Sequence, residues 1–334
     1  MFPVRRHAFV AATLLLSAPA LAQSTGFPRL NPVIELLEQK RAVFGLYAPA
    51  NPRARPGADG AAPPQRSATK TPAQLANDAL GYTRADYIFD GSMERNFERG
   101  YASFAELARE MFDGGMLSRA PAARLTHPLF VKTPEIAADP AKAREHIAQQ
   151  LNLGVSGIVF VDVRSADEVR QGLAMMRFAS SGGTRPDEVG DAPARWGGGM
   201  TAREYRERAD LWPLNPRGEL VNFTIVESME GLARVREIAA VPGIGVLFPG
   251  AGTLRGLFST VDSTGRRVLN EAAWEGAIQQ VLAACKEFNV PCGYPAGERD
   301  IEMRMKQGFT VFIIGWGDSG FRAVDIGRRL AHRD

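Results

Sequence analysis

Ile158-Val159-Phe160-Val161, within the run 157–163, carries no polar residue, so as a strand it offers apolar side chains to both of its faces. Successive strand side chains point to opposite faces, and a strand apolar on both is one covered on both, which is the habit of parallel sheets. Short runs of similar character stand at 43–48, 87–89, 129–132, 221–226, 245–248, 291–294 and 310–314. Stretches with apolar residues at helical spacing separate them, at 104–112, 140–151, 166–178, 202–209, 230–239, 271–288, 298–306 and 321–330. Ahead of the first strand, Asn31-Pro32 supplies an N-cap and a proline at the first helical position. Eight strand–helix units predict an α/β fold of the (β/α)8 TIM barrel kind. An open doubly wound sheet is the structural alternative.

Composition fits a globular domain that builds a large core. Of 334 residues, 45% are hydrophobic and 23% charged, and 34 Gly with 22 Pro stay below the share of a low-complexity chain. The N-terminus reads as a secretory signal over 1–22: Arg5 and Arg6, an apolar run from Ala8 to Leu16, then Ala20-Leu21-Ala22 as a cleavage site. The expectation is an exported protein, periplasmic or secreted, with 23–334 as one barrel domain. That apolar stretch is too short to span a bilayer, and no comparable run follows. Removing the segment takes away two arginines and no acid, which brings the formal charge of +3 close to balance and argues against nucleic acid as a partner. Residues 49–73, with six prolines and almost no large apolar residue, read as a mobile insertion after the first strand. Cys285 and Cys292 lie seven apart where a helix runs into a strand, and two buried thiols are the expectation.

In a barrel the chemistry sits at the C-terminal strand ends. The polar residues expected there are Asp90, Lys132, Asp162, Glu227, Glu298 and Asp318. The four histidines, His7, His127, His146 and His332, show no spacing for a zinc site, and none is placed as a general base. Glu227 ends one strand, and the turn Gly250-Ala251-Gly252-Thr253 ends the next, so a carboxylate for a divalent cation and amides for an anion share one mouth. The Gly-rich segment 183–214 is expected to reshape the substrate entrance, with Arg185 and Arg195 as candidate carboxylate readers.

Ile225-Val226-Glu227-Ser228, then Met229-Glu230-Gly231-Leu232, Glu237-Ile238, Val241-Pro242-Gly243 and the loop 248–254 resemble the HpcH/HpaI aldolase and citrate lyase family without a gap. Residues 87–91, 153–163 and 308–317 are similar more loosely, and the resemblance covers about 31–330. It implies a barrel of the pyruvate/phosphoenolpyruvate-binding type and an aldolase, a carbon–carbon lyase of 2-keto acids such as pyruvate. In the family a divalent metal (Mg, Mn or Co) holds the keto acid, retro-aldol cleavage leaves a metal-stabilised enolate, an Arg steadies it, and a His beside a carboxylate moves the proton. Glu227 matches the metal Glu and Asp90 the carboxylate beside the His, while the His position is Met93, the metal Asp position is Thr253 and the Arg position is Lys132. Asp162 is the expected second metal carboxylate, Lys132 and Asp90 the catalytic pair, and Gly250, Ala251, Gly252 and Thr253 the substrate-binding turn. The resemblance also implies a homo-oligomer, a trimer or hexamer. An exported barrel that has lost aldolase chemistry and binds a small acidic ligand is the alternative.

Overall fold

The computed structural model of the chain describes residues 28–51 and 69–333. The signal segment 1–22 and most of the 49–73 insertion lie outside the described residues. Where the described chain resumes, Asn51 holds both backbone groups of Lys70, its Nδ2 donating at 2.9 Å and its Oδ1 accepting at 2.8 Å. A helix, Pro72–Gly81, follows at once. The sequence reading missed it because Pro72 looked like the end of the Pro-rich segment; proline is instead the N1 residue behind a Thr71/Gln74 capping box.

Eight strands form the barrel: β1 Val43–Tyr47, β2 Tyr87–Asp90, β3 Leu129–Lys132, β4 Gly157–Phe160, β5 Leu220–Val226, β6 Val246–Pro249, β7 Gly293–Ala296 and β8 Val311–Ile314. They pair in parallel in the order β7-β8-β1-β2-β3-β4-β5-β6. A parallel bridge between Leu247 and Cys292, with the Leu247 N–H on the Pro291 carbonyl at 3.0 Å, joins β6 back to β7. Neighbours in sequence are neighbours in space all the way round, which an open doubly wound sheet cannot satisfy.

The apolar run that suggested the barrel divides as its alternation requires. Val159 and Val161 belong to a buried lumen cluster with Tyr87, Phe89, Phe130 and Phe223, whereas Ile158 and Phe160 join the larger layer between the strands and the outer helices. Aromatic rings fill the lumen: Phe223 lies 4.6 Å from Phe130, 5.2 Å from Phe248 and 5.7 Å from Tyr87, centroid to centroid. Helix Pro32–Glu38, capped by Asn31 as read, closes the N-terminal end, where Val33, Ile34, Leu36 and Leu37 join the same cluster. Asn31 is fixed there by Glu219, ahead of β5.

Three expectations need correction. Segment 183–214 follows helix Ala166–Met176 and leads into β5, so it connects a helix to a strand and lies at the N-terminal end of the barrel, away from the mouth. Trp196 donates to the Gly154 carbonyl and Tyr205 to the Leu151 carbonyl, both ahead of β4. Arg185 is buried there with its guanidinium 4.0 Å from the Phe178 ring, and Arg195 donates to the Leu153 carbonyl, so neither reads a ligand at the mouth. The stretch 230–239 is two helices, Met229–Ala233 and Val235–Ala239. Cys285 and Cys292 form a disulfide, because the chain reverses between helix Glu271–Glu287 and β7 and brings their Cα atoms to 5.6 Å. Helix Asp318–Leu330 packs on its own chain, with Ala323 and Val324 buried and Phe321 stacked on Tyr82.

Candidate active site

Glu227 is the first residue beyond β5 and is 7% exposed. Its carboxylate is held at both oxygens. Oε1 accepts from the Asp162 amide at 3.2 Å, and Oε2 accepts from the Thr253 hydroxyl at 2.6 Å. The first bond requires an unusual backbone: Asp162 sits at φ 45°, in the left-handed region that costs a non-glycine residue about 1 kcal/mol. The second requires close approach. A side-chain carbon built on Gly250 would lie 2.2 Å from the Glu227 Cβ and 2.5 Å from its Oε2, so only glycine leaves the carboxylate where it is. The structure thus brings Glu227, Asp162, Gly250 and Thr253 together, as the sequence grouped them.

Asp162 places Oδ2 on the Arg164 guanidinium, while its Oδ1 is buried without a hydrogen-bond partner. Arg164 also reaches Glu135 at 3.3 Å. The hydrogen bond it donates to Asp162 holds the pKa of the Arg164 guanidinium above its ordinary value. Asp162, whose amide sits on Glu227, keeps one carboxylate oxygen without a partner, and with Glu227 and the Thr253 hydroxyl this makes an all-oxygen donor set of the kind hard divalent cations take, usually keeping several waters. The residues therefore fit such an ion. Among the described residues no group of three or more His, Cys, Asp and Glu gathers to hold a metal by protein ligands alone.

On the other side of the mouth Lys132, at the end of β3, pairs with Glu94 at 3.0 Å. Asp90, at the end of β2, accepts from the amide of Ser92 at 2.8 Å and from its hydroxyl. Burial raises the Asp90 carboxyl above its ordinary value, and the Ser92 hydrogen bonds work against that rise. Met93 is fully buried, with the Gln150 amide 3.4 Å from its sulfur and 2.8 Å from the Lys132 carbonyl, so this side chain faces the core. Glu298 is taken by Arg322 at 2.8 and 2.9 Å and by Ser319 at 3.0 Å, and Asp318 opens the last helix; neither joins Glu227.

Of the turn after β6, Gly250 gives its N–H to the Val226 carbonyl at 2.9 Å. Ala251, Gly252 and Thr253 form the first turn of helix Ala251–Leu257, whose amides have no intrahelical acceptor. Sequence reasoning missed Tyr47, Glu94 and Arg164. Tyr47 looked like an apolar strand residue; Arg164 and Glu94 each lie within four residues of a strand-end acid, which is the signal that was there to find. A separate cavity of about 740 Å³ lies at the N-terminal end, lined by Trp212, Cys285 and Cys292 among others, and shares no residue with this mouth.

No protein-family model matches the chain. It is 22% identical over 147 residues to the hydroxypyruvate/pyruvate aldolase of Paraburkholderia phytofirmans, a match covering 44% of this chain and 52% of that protein. It is 23% identical over 166 residues to the 2-dehydro-3,6-dideoxy-6-sulfogluconate aldolase of Pseudomonas putida, covering 49% and 58%. The chain thus spans little more than half the length of the curated relatives it matches. Among solved structures, an HpcH/HpaI aldolase/citrate lyase family protein of Burkholderia cenocepacia superposes with a TM-score of 0.60 at 19% identity, over 90% of this chain and 96% of that one. The architecture is that of a parallel (β/α)8 barrel with its polar residues at the C-terminal mouth. Within that class the chain has the fold seen in HpcH/HpaI aldolase/citrate lyase family proteins.

Proposed function

We propose that the protein is a carbon–carbon lyase that cleaves or forms the bond beside the keto group of a small 2-keto acid. The observation that carries this reading is Glu227: a buried carboxylate held from both sides at a barrel mouth, on the amide of Asp162, which keeps one carboxylate oxygen unpartnered. Glu227 and Asp162 would hold a divalent cation, magnesium, manganese or cobalt, with the Thr253 hydroxyl fixing the orientation of Glu227. Such an ion, when bound, supplies Lewis acidity toward carboxylate and keto oxygens. Lys132, kept in place by Glu94, stabilises the negative charge of the enolate that cleavage leaves. The first-turn amides of Ala251, Gly252 and Thr253, with Gly250 setting the approach, receive the substrate carboxylate. Asp90 is the acid–base group at the end of β2. The disulfide supports an oxidising compartment, in keeping with export.

The experiment is release of pyruvate from a 4-hydroxy-2-keto acid by the mature protein with added manganese. Activity abolished by chelator, and reduced about 100-fold or more in both Glu227→Ala and Asp162→Ala, supports the reading. Asp162→Ala with unchanged activity removes Asp162 from it. The burial of Met93, which takes a family proton carrier's position out of the mouth, favours a second reading in which the barrel binds a small acid without cleaving it. Keto-acid binding with no turnover under any of the three metals would select that reading.

A further inference from the structure

Tyr47 is the last residue of β1 and stands in the same mouth. Its ring meets Phe89 edge-on with centroids 4.8 Å apart. A side-chain carbon built on Gly91 would lie 3.8 Å from Tyr47 Cε1 and 3.6 Å from Lys132 Cδ, so the phenol ring and the lysine stem border the same glycine. Tyr47 is 40% exposed, and its hydroxyl makes no hydrogen bond among the described residues. Of the neighbouring acids, Glu94 is paired with Lys132 and Glu227 with Thr253 and the Asp162 amide, while Asp90, bonded to Ser92 through one oxygen, serves the substrate hydroxyl and leaves the carbon to Tyr47.

We infer that Tyr47 is a catalytic residue that gives its proton to the carbon from which the aldehyde has departed, an inference that rests on the lyase reading above. In cleavage the C3–C4 bond breaks and its electron pair passes into the C2–C3 enolate, while the C4 hydroxyl proton leaves by way of Asp90 to water. The Tyr47 O–H then donates to C3, where the enolate's electron pair makes the new C–H bond. The phenolate left beside Lys132 takes a proton from water, so protons and charge balance over the cycle. Partial desolvation raises the phenol's pKa above its ordinary value, and Glu94, Asp90 and Glu227 raise it further, which keeps it in the protonated form that donation needs.

The test follows deuterium entering the methyl group of pyruvate in heavy water with manganese present, since this runs the last step forward and back. Tyr47→Phe is expected to slow exchange about 100-fold or more while pyruvate and manganese still bind with about wild-type affinity by calorimetry. Site-specific 3-fluorotyrosine at position 47, a stronger acid, should move the alkaline rise of the exchange rate to lower pH. Exchange in Tyr47→Phe at the wild-type rate, or a profile unmoved by fluorination, overturns this inference and leaves the lyase reading standing. A wild-type protein that never exchanges overturns both.

Discussion

Asp90 shows at the scale of one residue what the mouth costs. Its carboxyl is half-buried at the end of β2 with Ser92 as its hydrogen-bonding partner, and the loss of solvent raises its pKa. A carboxyl raised in the folded state favours folding while protonated, below the ordinary value of 3.8, and that advantage is lost as pH rises through the folded value. Asp90→Asn, whose carbonyl still accepts from Ser92, should therefore melt higher than the wild type at neutral pH, with the gap narrowing as the medium is acidified. Thermal melts across that range check it, and a gap independent of pH would contradict the cause given.

At the scale of elements, the turn from β6 into helix Ala251–Leu257 is what presses Thr253 onto Glu227. Gly250→Ala must displace either the turn or the carboxylate, so a loss of about 1–3 kcal/mol and of metal-dependent activity is expected. Denaturant melts read the first, and a variant with wild-type stability and activity would show that the approach is looser than described. Elements were also where the sequence was most legible. All eight strands fell where apolar runs put them, because parallel strands buried on both faces are predominantly apolar, as in Ile158–Phe160. Glu227, Asp162 and Thr253 could be grouped because they end neighbouring strands. What stayed illegible was direction. Nothing in Met93 says that its side chain turns inward to Gln150, and nothing in Arg185 says that it is sandwiched at the opposite end. Composition alone does not place segment 183–214; its position after helix Ala166–Met176 does.

Across the whole molecule, the two ends of the barrel do different work. The N-terminal end is closed by helix Pro32–Glu38 and tied by the Cys285–Cys292 bond beside the β6–β7 seam. Cys285→Ala together with Cys292→Ala should lower unfolding free energy by about 2–3 kcal/mol, by the chain-entropy estimate for a short loop, and leave activity unchanged. Loss of activity at unchanged stability would contradict that division of labour. Among the described residues no helix is long and apolar enough to cross a membrane. The C-terminal end gathers the acids, the lysine and the phenol, and the central claim is that this mouth makes and quenches an enolate.

The most direct measurement is proton exchange at the pyruvate methyl group in heavy water, followed by NMR with magnesium, manganese or cobalt and with chelator as control. It needs no aldehyde partner. The account predicts exchange that depends on the metal and is abolished in Glu227→Ala. Absence of exchange with every metal, or exchange undiminished in Glu227→Ala, would contradict it.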